Sequence, residues 1–374
     1  MYKKLLAVAV ASSVAVPAMA LTAYDDGTDK LTIGGRVGVQ SKTMDGDTEL
    51  NNDSARINFG FEHKFSEDLT GFAMAEWGIN AIDQYDEGSK KDLFSNRLGN
   101  IGVAHSTYGK VTAGKQWSVY YDIAGWTDMY AIGGGTSMGI YDGYSTDGGV
   151  NGTGRADDAI SYRASVGGLN VGLQYQMRGT SGSDIDGTDQ LVMDRAWERT
   201  GGGQAALSYD FDSGLSVGYT YSQTSFEQRE NAHAQSAGIK FDTEQMYLAA
   251  TYGKFKNHTN ATLANRKPIG DEGSTGYVPT GHFDKKSTGI ELFGQYNLQS
   301  VAGLSFYAGL NQLKVDEQHD GSDSDGKLDT KSLGALYRVG PMQLAAEYTV
   351  DDSKKHDGTS DADNYMTLQA RYYF

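Results

Sequence analysis

The chain ends Asp363-Asn364-Tyr365-Met366-Thr367-Leu368-Gln369-Ala370-Arg371-Tyr372-Tyr373-Phe374, and polarity alternates along this stretch up to a terminal aromatic. In an extended strand Met366, Leu368, Ala370, Tyr372 and Phe374 share one face, while Thr367, Gln369 and Arg371 share the other. A last strand that is apolar outside and polar inside suits a wall between lipid and water, the pattern of a transmembrane β-barrel. The start of the chain agrees. Lys3 and Lys4, the apolar run Leu5 to Val16 and the small-x-small site Ala18-Met19-Ala20 read as a cleavable signal peptide over residues 1–20, leaving 21–374 as one barrel domain. No later run approaches the roughly 18 uninterrupted apolar residues of a membrane helix, so any crossing is made by strands.

Composition narrows the choice that 374 residues leave open between two soluble domains and one large barrel. Glycine (49) and tyrosine (24) are plentiful and proline (4) is scarce, which suits many strands joined by tight turns. A mean hydropathy of −0.50 is too low for a bundle of membrane helices but fits a wall in which alternate residues meet lipid. With no cysteine, disulfides, thiolate metal centres and a Cys nucleophile are excluded. A formal charge of −16 argues against nucleic acid as a partner and predicts an acidic surface with a modest preference for cations.

Sixteen alternating runs can be laid along the chain, near 30–40, 53–65, 70–82, 94–106, 109–116, 156–166, 169–180, 201–212, 215–227, 234–242, 245–256, 285–299, 303–315, 329–339, 341–351 and 363–374. The links between them alternate short and long, as expected of an all-β, 16-stranded antiparallel barrel with turns at one end and loops at the other. Leu31, Ile33, Val37 and Val39 mark the lipid face of the first strand, and Ala55, Ile57, Phe59 and Phe61 that of the second. The fourth run breaks the pattern, because Asn96 and Asn100 share a face with Leu98, and a bulge or a protein-covered surface there would account for it.

The third long link, Trp117 to Gly154, has no strand period and carries Trp117, Tyr120, Tyr121, Trp126, Tyr130, Tyr141 and Tyr144. So aromatic a segment packs against something, and the barrel's inner wall is the only large surface available. The stretch Gly114-Lys115-Gln116-Trp117-Ser118-Val119-Tyr120-Tyr121-Asp122-Ile123-Ala124-Gly125-Trp126-Thr127-Asp128-Met129, with Gly133-Gly134-Gly135 and Gly154-Arg155 after it, resembles the constriction loop of the trimeric general diffusion porins. The likeness extends to Ser54-Ala55-Arg56-Ile57-Asn58-Phe59, to Ala159-Ile160-Ser161-Tyr162-Arg163 and to the last strand.

The resemblance implies a homotrimer in the Gram-negative outer membrane, in contact with its lipids and lipopolysaccharide. It implies passive diffusion of small hydrophilic solutes and ions past an inward-folded third loop, with no cofactor. It places Arg36, Arg56, Arg97 and Arg155 on a basic wall, with Glu76 beside them and Asp128 on the loop facing them. Strand parity independently puts Arg36 and Arg56 on the polar face. The chain departs from the family where a second loop glutamate and a proline are usual: Ile132 and Ala131 stand there, so Asp142 or Asp147 would have to supply the missing acid. Trp117, Tyr121, Trp126 and Tyr130 either clamp the loop or stack on sugars, as in an oligosaccharide-preferring channel. Tyr372 and Phe374 form the assembly signal.

Other classes are weaker. A barrel hydrolase needs a His beside a nucleophile and a carboxylate, yet the seven histidines are scattered and none sits in a motif. Asp184–Asp189 and Gly321–Gly326 are incomplete calcium loops and read as solvated tips. An adhesin or phage-docking role for the outer loops is compatible with a channel.

Overall fold

The computed structural model describes residues 20–80, 93–141, 149–180, 198–227, 229–259, 283–318, 320–360 and 362–374. Residues 1–19 of the expected signal peptide, Tyr144, Asp142, Asp147 and Asp184–Asp189 lie outside them. Sixteen long strands form the wall: β1 (Asp29–Met44), β2 (Arg56–Lys64), β3 (Leu69–Ile79), β4 (Phe94–His105), β5 (Gly109–Trp117), β6 (Ala159–Val166), β7 (Leu169–Gln176), β8 (Glu198–Asp210), β9 (Leu215–Phe226), β10 (Ala232–Asp242), β11 (Met246–Lys256), β12 (Lys286–Asn297), β13 (Leu304–Glu317), β14 (Lys327–Val339), β15 (Met342–Asp351) and β16 (Tyr365–Tyr373). Each pairs antiparallel with its neighbours in sequence.

The ring closes because β1 serves both ends of the chain. Its first half pairs with β2, Leu31 opposite Phe61, and its second half pairs with β16, Val39 opposite Ala370. A closed sheet leaves no edge to satisfy in lipid, the condition for a wall of strands in a membrane. Alternation sorts the side chains as expected: Leu207 and Tyr209, Leu292 and Tyr296, Leu368 and Tyr372 are exposed outward, whereas Gln204, Glu291 and Gln369 on the same strands are buried inward. Tyr252, Tyr337 and Tyr348 share the outward exposure expected of an aromatic girdle.

Three details differ from or add to the sequence reading. Beyond the expected strand end, β1 continues into a hairpin with residues Asp47–Asn52, turned by Asp45 and Gly46 at φ 51° and 88°. Positive φ at both central residues is the type I′ geometry that an Asp-Gly pair favours. Residues Leu21–Asp25 add a short edge against Lys30–Ile33 of β1. Ala55, expected to face lipid, is instead fully buried, because the chain turns inward through Ser54, at φ +48°, before β2 begins.

The anomaly in β4 is a bulge. The β3–β4 register shifts between Glu76 and Trp77, which skips Arg97 in the ladder, and both Arg97 and Leu98 are buried. A bulge re-aims one side chain locally. Here it sends an arginine to the polar face without turning Leu98 out.

Candidate functional site

The segment after β5 lies against the polar face of the wall. Its ends are held together at the barrel rim, where Arg155–Ala156 pairs back onto Gln116 and Trp117 and the Ser118 N–H donates to the Gly154 carbonyl at 2.8 Å. From there a one-turn helix, α1 (Tyr121–Ala124), leads into a 3-10 turn, Gly125–Thr127. Arg163 on β6 clasps its base: the guanidinium donates to both Asp122 oxygens, at 2.7 and 3.1 Å, and to the Trp117 carbonyl at 3.0 Å. Such a bidentate pair fixes geometry as well as charge.

Glycines of the wall make the trough in which the segment rests. A Cβ at Gly218 or Gly238 would meet Ile123 or Trp126 within 2.9 Å, and one at Gly309 would lie 1.8 Å from the Tyr130 hydroxyl oxygen. Wall glutamines and carboxylates then receive its backbone. Gln174 and Gln204 accept from the N–H groups of Val119 and Tyr120 at 3.1 and 2.9 Å. Glu291 on β12 accepts from the Ser137 N–H at 2.5 Å and from the Thr127 hydroxyl, and Glu347 on β15 accepts from the Gly133 N–H at 3.4 Å and the Tyr307 hydroxyl at 2.6 Å. The Gly133-Gly134-Gly135 run permits this approach, since a Cβ at Gly135 would stand 2.8 Å from Glu291.

The four aromatics have separate surroundings. Trp117 and Tyr121 lie ring to ring at 4.3 Å, with the Arg155 guanidinium 5.8 Å from the Trp117 ring. Trp126 is only 8% exposed, so its ring is not open to a passing solute, and Lys240 caps it at 5.0 Å. Tyr130 packs edge-on against Phe293 and Tyr307. Ile132 joins the same group with Ala131, Leu336 and Ala345, so an apolar seat on the wall occupies the place where the resemblance would put a second loop acid.

The strands β1, β2, β4 and β16 gather the basic side chains, and β16 also holds the loop, its Gln369 amide donating to the Ala131 carbonyl at 2.7 Å. Arg36 and Arg56 stand directly opposite one another, and both donate through Nε to the Ser54 carbonyl, at 3.0 and 3.2 Å. The left-handed backbone at Ser54 is what turns that carbonyl to them. Glu76 accepts from Arg97 Nε at 2.8 Å and lies 3.7 Å from Arg56, and the charge of Arg155 also acts on it. Arg371 on β16 pairs through two nitrogens with Asp53, next to Ser54. Four arginines, Arg36, Arg56, Arg97 and Arg371, are thus set by two carboxylates and one carbonyl, the compensation that a cluster of like charge requires.

Asp128 does not touch this group. Its carboxylate accepts from the hydroxyls of Tyr121 and Tyr141, at 2.9 and 2.5 Å, and from the Gly135 N–H at 2.9 Å. Burial pushes its carboxyl above the usual range, against the pull of these donors. Tyr141, which donates to Asp128, also feels the charges of Arg155 and Arg97.

Sequence reasoning missed Glu291, Glu347, Arg163 and the Arg371–Asp53 pair. Parity alone could have flagged the first two, since Glu291 alternates with outward Ile290 and Leu292, and Glu347 precedes outward Tyr348.

His258, just past the end of β11, fixes the far end of the segment. Its ring stacks on Phe255 and its Nε2 donates to the Gly139 carbonyl at 2.9 Å, and burial pushes the imidazole down to about 4. A base whose folded pKa is depressed favours folding while neutral. The contact is therefore at full strength above about pH 6.5 and weakens as pH falls toward about 4, by at most about 3 kcal/mol. Hydrogen exchange across residues 136–141 should accelerate over that window in the native chain and stay flat in His258→Gln. Equal pH dependence in both would remove His258 from the account.

Comparison with known proteins identifies the family and matches the fold. A family model described as Gram-negative porin matches residues 6–374. Outer membrane porin F of Xenorhabdus nematophila is 30% identical over all of the chain and 98% of its own length. Among solved structures, OmpF of Salmonella typhi in complex with daunomycin superposes with a TM-score of 0.73 at 22% identity, covering 95% of this chain and all of that one. The trimer form of OmpT from Vibrio cholerae superposes with a TM-score of 0.63 at 15% identity, covering 93% of this chain and all of that one.

Proposed function

Because the chain belongs to the Gram-negative porin family, and is a passive outer-membrane diffusion channel and not an enzyme, we propose that its passage is narrowest between residues 118–141 and the basic wall of Arg36, Arg56, Arg97 and Arg155. The observation that carries this is the convergence of Arg36, Arg56 and Arg97 on Ser54 and Glu76, on the polar face of the wall against which the loop is folded. A passage bounded by fixed positive charge, with Glu76 set among it, on one side and by the loop with Asp128 on the other orients water strongly. Apolar solutes must displace that water, so small hydrophilic solutes and ions pass preferentially.

Asp128 acts here chiefly by holding the loop's shape, since two hydroxyls and an N–H occupy its oxygens. Its charge still reaches the passage through Tyr141. The assembly is a homotrimer on this reading, in line with the trimer form of the similar OmpT structure, and residues 1–20 are removed on export. Lipopolysaccharide and neighbouring lipids cover the outward apolar face. The burial of Trp126 and the wall packing of Tyr130 favour a clamp over a sugar track.

The test is ionic. Arg56→Ala, Arg97→Ala and Arg155→Ala should each raise the cation-to-anion permeability ratio by at least about twofold, equivalent to about 0.4 kcal/mol, and admit bulkier solutes. Reversal potentials under one salt gradient, at low and high salt, read the change. If the ratio fails to move in all three variants, these arginines do not border the narrowest section. A cation preference in the native chain that fades with salt would locate it in the outer loops, beyond the Debye length of about 8 Å from the constriction.

A further inference from the structure

Residues 118–141 turn most of their side chains toward the wall or toward one another, and Met129 departs from that rule. Thr127 is fully buried and its hydroxyl donates to Glu291. Asp128 is held by the Tyr121 and Tyr141 hydroxyls and the Gly135 N–H, while Tyr130 packs edge-on against Phe293 and Tyr307. With the residues on both sides anchored, Met129 projects off the segment and is 47% exposed, the one large apolar side chain in 118–141 that is exposed. Because the segment lies inside the barrel, that exposure is to the lumen.

Sulfur chemistry singles out the same position. The chain has no cysteine, so no thiol competes for an oxidant and the thioethers are its only sulfur groups. Met129 is the most exposed methionine among the described residues. Met138, on the same segment, is fully buried and its sulfur accepts from the Ser236 hydroxyl at 3.5 Å. Met366 lies on the outward face with Leu368, and Met44 and Met177 are exposed at the ends of β1 and β7 that meet the long links. Met129 is thus the exposed thioether on the segment that borders the proposed passage.

We propose that Met129 is a modification site, oxidised to the sulfoxide by a hypohalous acid that enters with the solutes, and that the sulfoxide alters permeation. This rests on the reading that residues 118–141 border the passage. The reagent is small, neutral and hydrophilic, the kind of molecule such a channel admits. The thioether sulfur attacks the chlorine of hypochlorous acid and expels hydroxide. Water then adds at sulfur as chloride leaves, and two protons are released, one of which neutralises the hydroxide. The net change is thioether plus hypochlorous acid to sulfoxide, a proton and chloride, with one electron pair passing from sulfur to chlorine. The product replaces a soft apolar surface with a polar, hydrogen-bonding one and adds a heavy atom beside the passage.

The native channel, Met129→Leu and Met44→Leu/Met177→Leu are treated with hypochlorite at a dose that leaves Met138 unmodified. Peptide mass spectrometry and single-channel conductance are read on the same samples, each channel against its own untreated level. Leucine keeps the volume and apolar character of methionine without the sulfur. In the native chain Met129 should gain one oxygen, and the open level should fall by roughly a tenth or more. Met44→Leu/Met177→Leu should lose as much, and Met129→Leu should lose nothing. Met129 left unmodified while Met44 and Met177 are oxidised overturns the proposal, because the sulfur is then out of reach. An unchanged open level in native channels oxidised at Met129, or an equal fall in Met129→Leu, overturns it too. Failure of the channel reading is a separate result, seen in the untreated native chain and its arginine variants.

Discussion

Gly289→Leu should cut single-channel conductance by half or more and make the open level noisy. Gly289 faces inward on β12, two residues before Glu291, and a Cβ there would lie 2.0 Å from the Ser137 carbonyl oxygen and 2.8 Å from the Met138 methyl group. The first contact is with backbone, so no rotamer change relieves it. The segment must leave the wall, breaking the 2.5 Å hydrogen bond from the Ser137 N–H to Glu291, and move into the lumen. Overpacking of this kind costs about 1–3 kcal/mol, less than the whole barrel is stabilised by, so the strand ladder should survive while the loop moves. Gly294→Leu is the control, since Gly294 faces outward toward Leu248. A well-folded Gly289→Leu channel with native conductance would show that residues 118–141 do not limit the passage.

Deletion of Phe374 should lower the yield of folded barrel in the outer membrane by about tenfold or more. Phe374 and Gly35 exchange backbone hydrogen bonds at 2.9 and 3.1 Å, and the phenyl ring lies where a Cβ on Gly35 would be, 2.6 Å from it. The residue thus adds the last two rungs to the only seam between the first and last strands. Two rungs at about 1 kcal/mol each and part of an aromatic's burial amount to about 3 kcal/mol, lost at the step where the ring closes. Gly35→Leu attacks the same seam from the other strand, because its side chain meets the Arg56 carbonyl as well as the ring. The heat-modifiable fraction of each variant measures the effect, with Asn364→Ala at the far end of β16 as reference. Native yield from the chain lacking Phe374 would mean that closure does not depend on it.

The strands were legible because lipid on one side and water on the other impose a period of two that survives everything else. Even the flaw in β4 was readable, as two asparagines on the wrong face, and the bulge at Arg97 resolves it. The Asp45-Gly46 turn had an equally plain local signal that the reading passed over. The contacts of the loop were a different matter. Thr127 meets Thr251, and Ser137 meets Glu291, across more than a hundred residues, and no local pattern says which wall position lies under which loop residue. For the same reason glycine was read as turn chemistry, whereas Gly218, Gly238, Gly289 and Gly309 are places where another part of the chain comes too close for a side chain. Of the constriction, parity gave Arg36 and Arg56. It could not show that Asp128 spends its oxygens on its own loop.

The left-handed turn at Ser54 has a further consequence for how such a channel can change over time. Asp53 and Ser54 together fix three arginines, Arg371, Arg36 and Arg56, and they are the last residues of the excursion that begins with the hairpin at Asp45-Gly46. The tip of that hairpin lies at the end of the barrel that carries the long links, while its root holds three arginines, two of them, Arg36 and Arg56, in the wall proposed to border the passage. An insertion or deletion at the tip that drags the root by an ångström is therefore expected to retune permeation with every charged residue still in place. Reversal potentials of chains differing only in residues 44–50 would register that inheritance of selectivity through backbone alone.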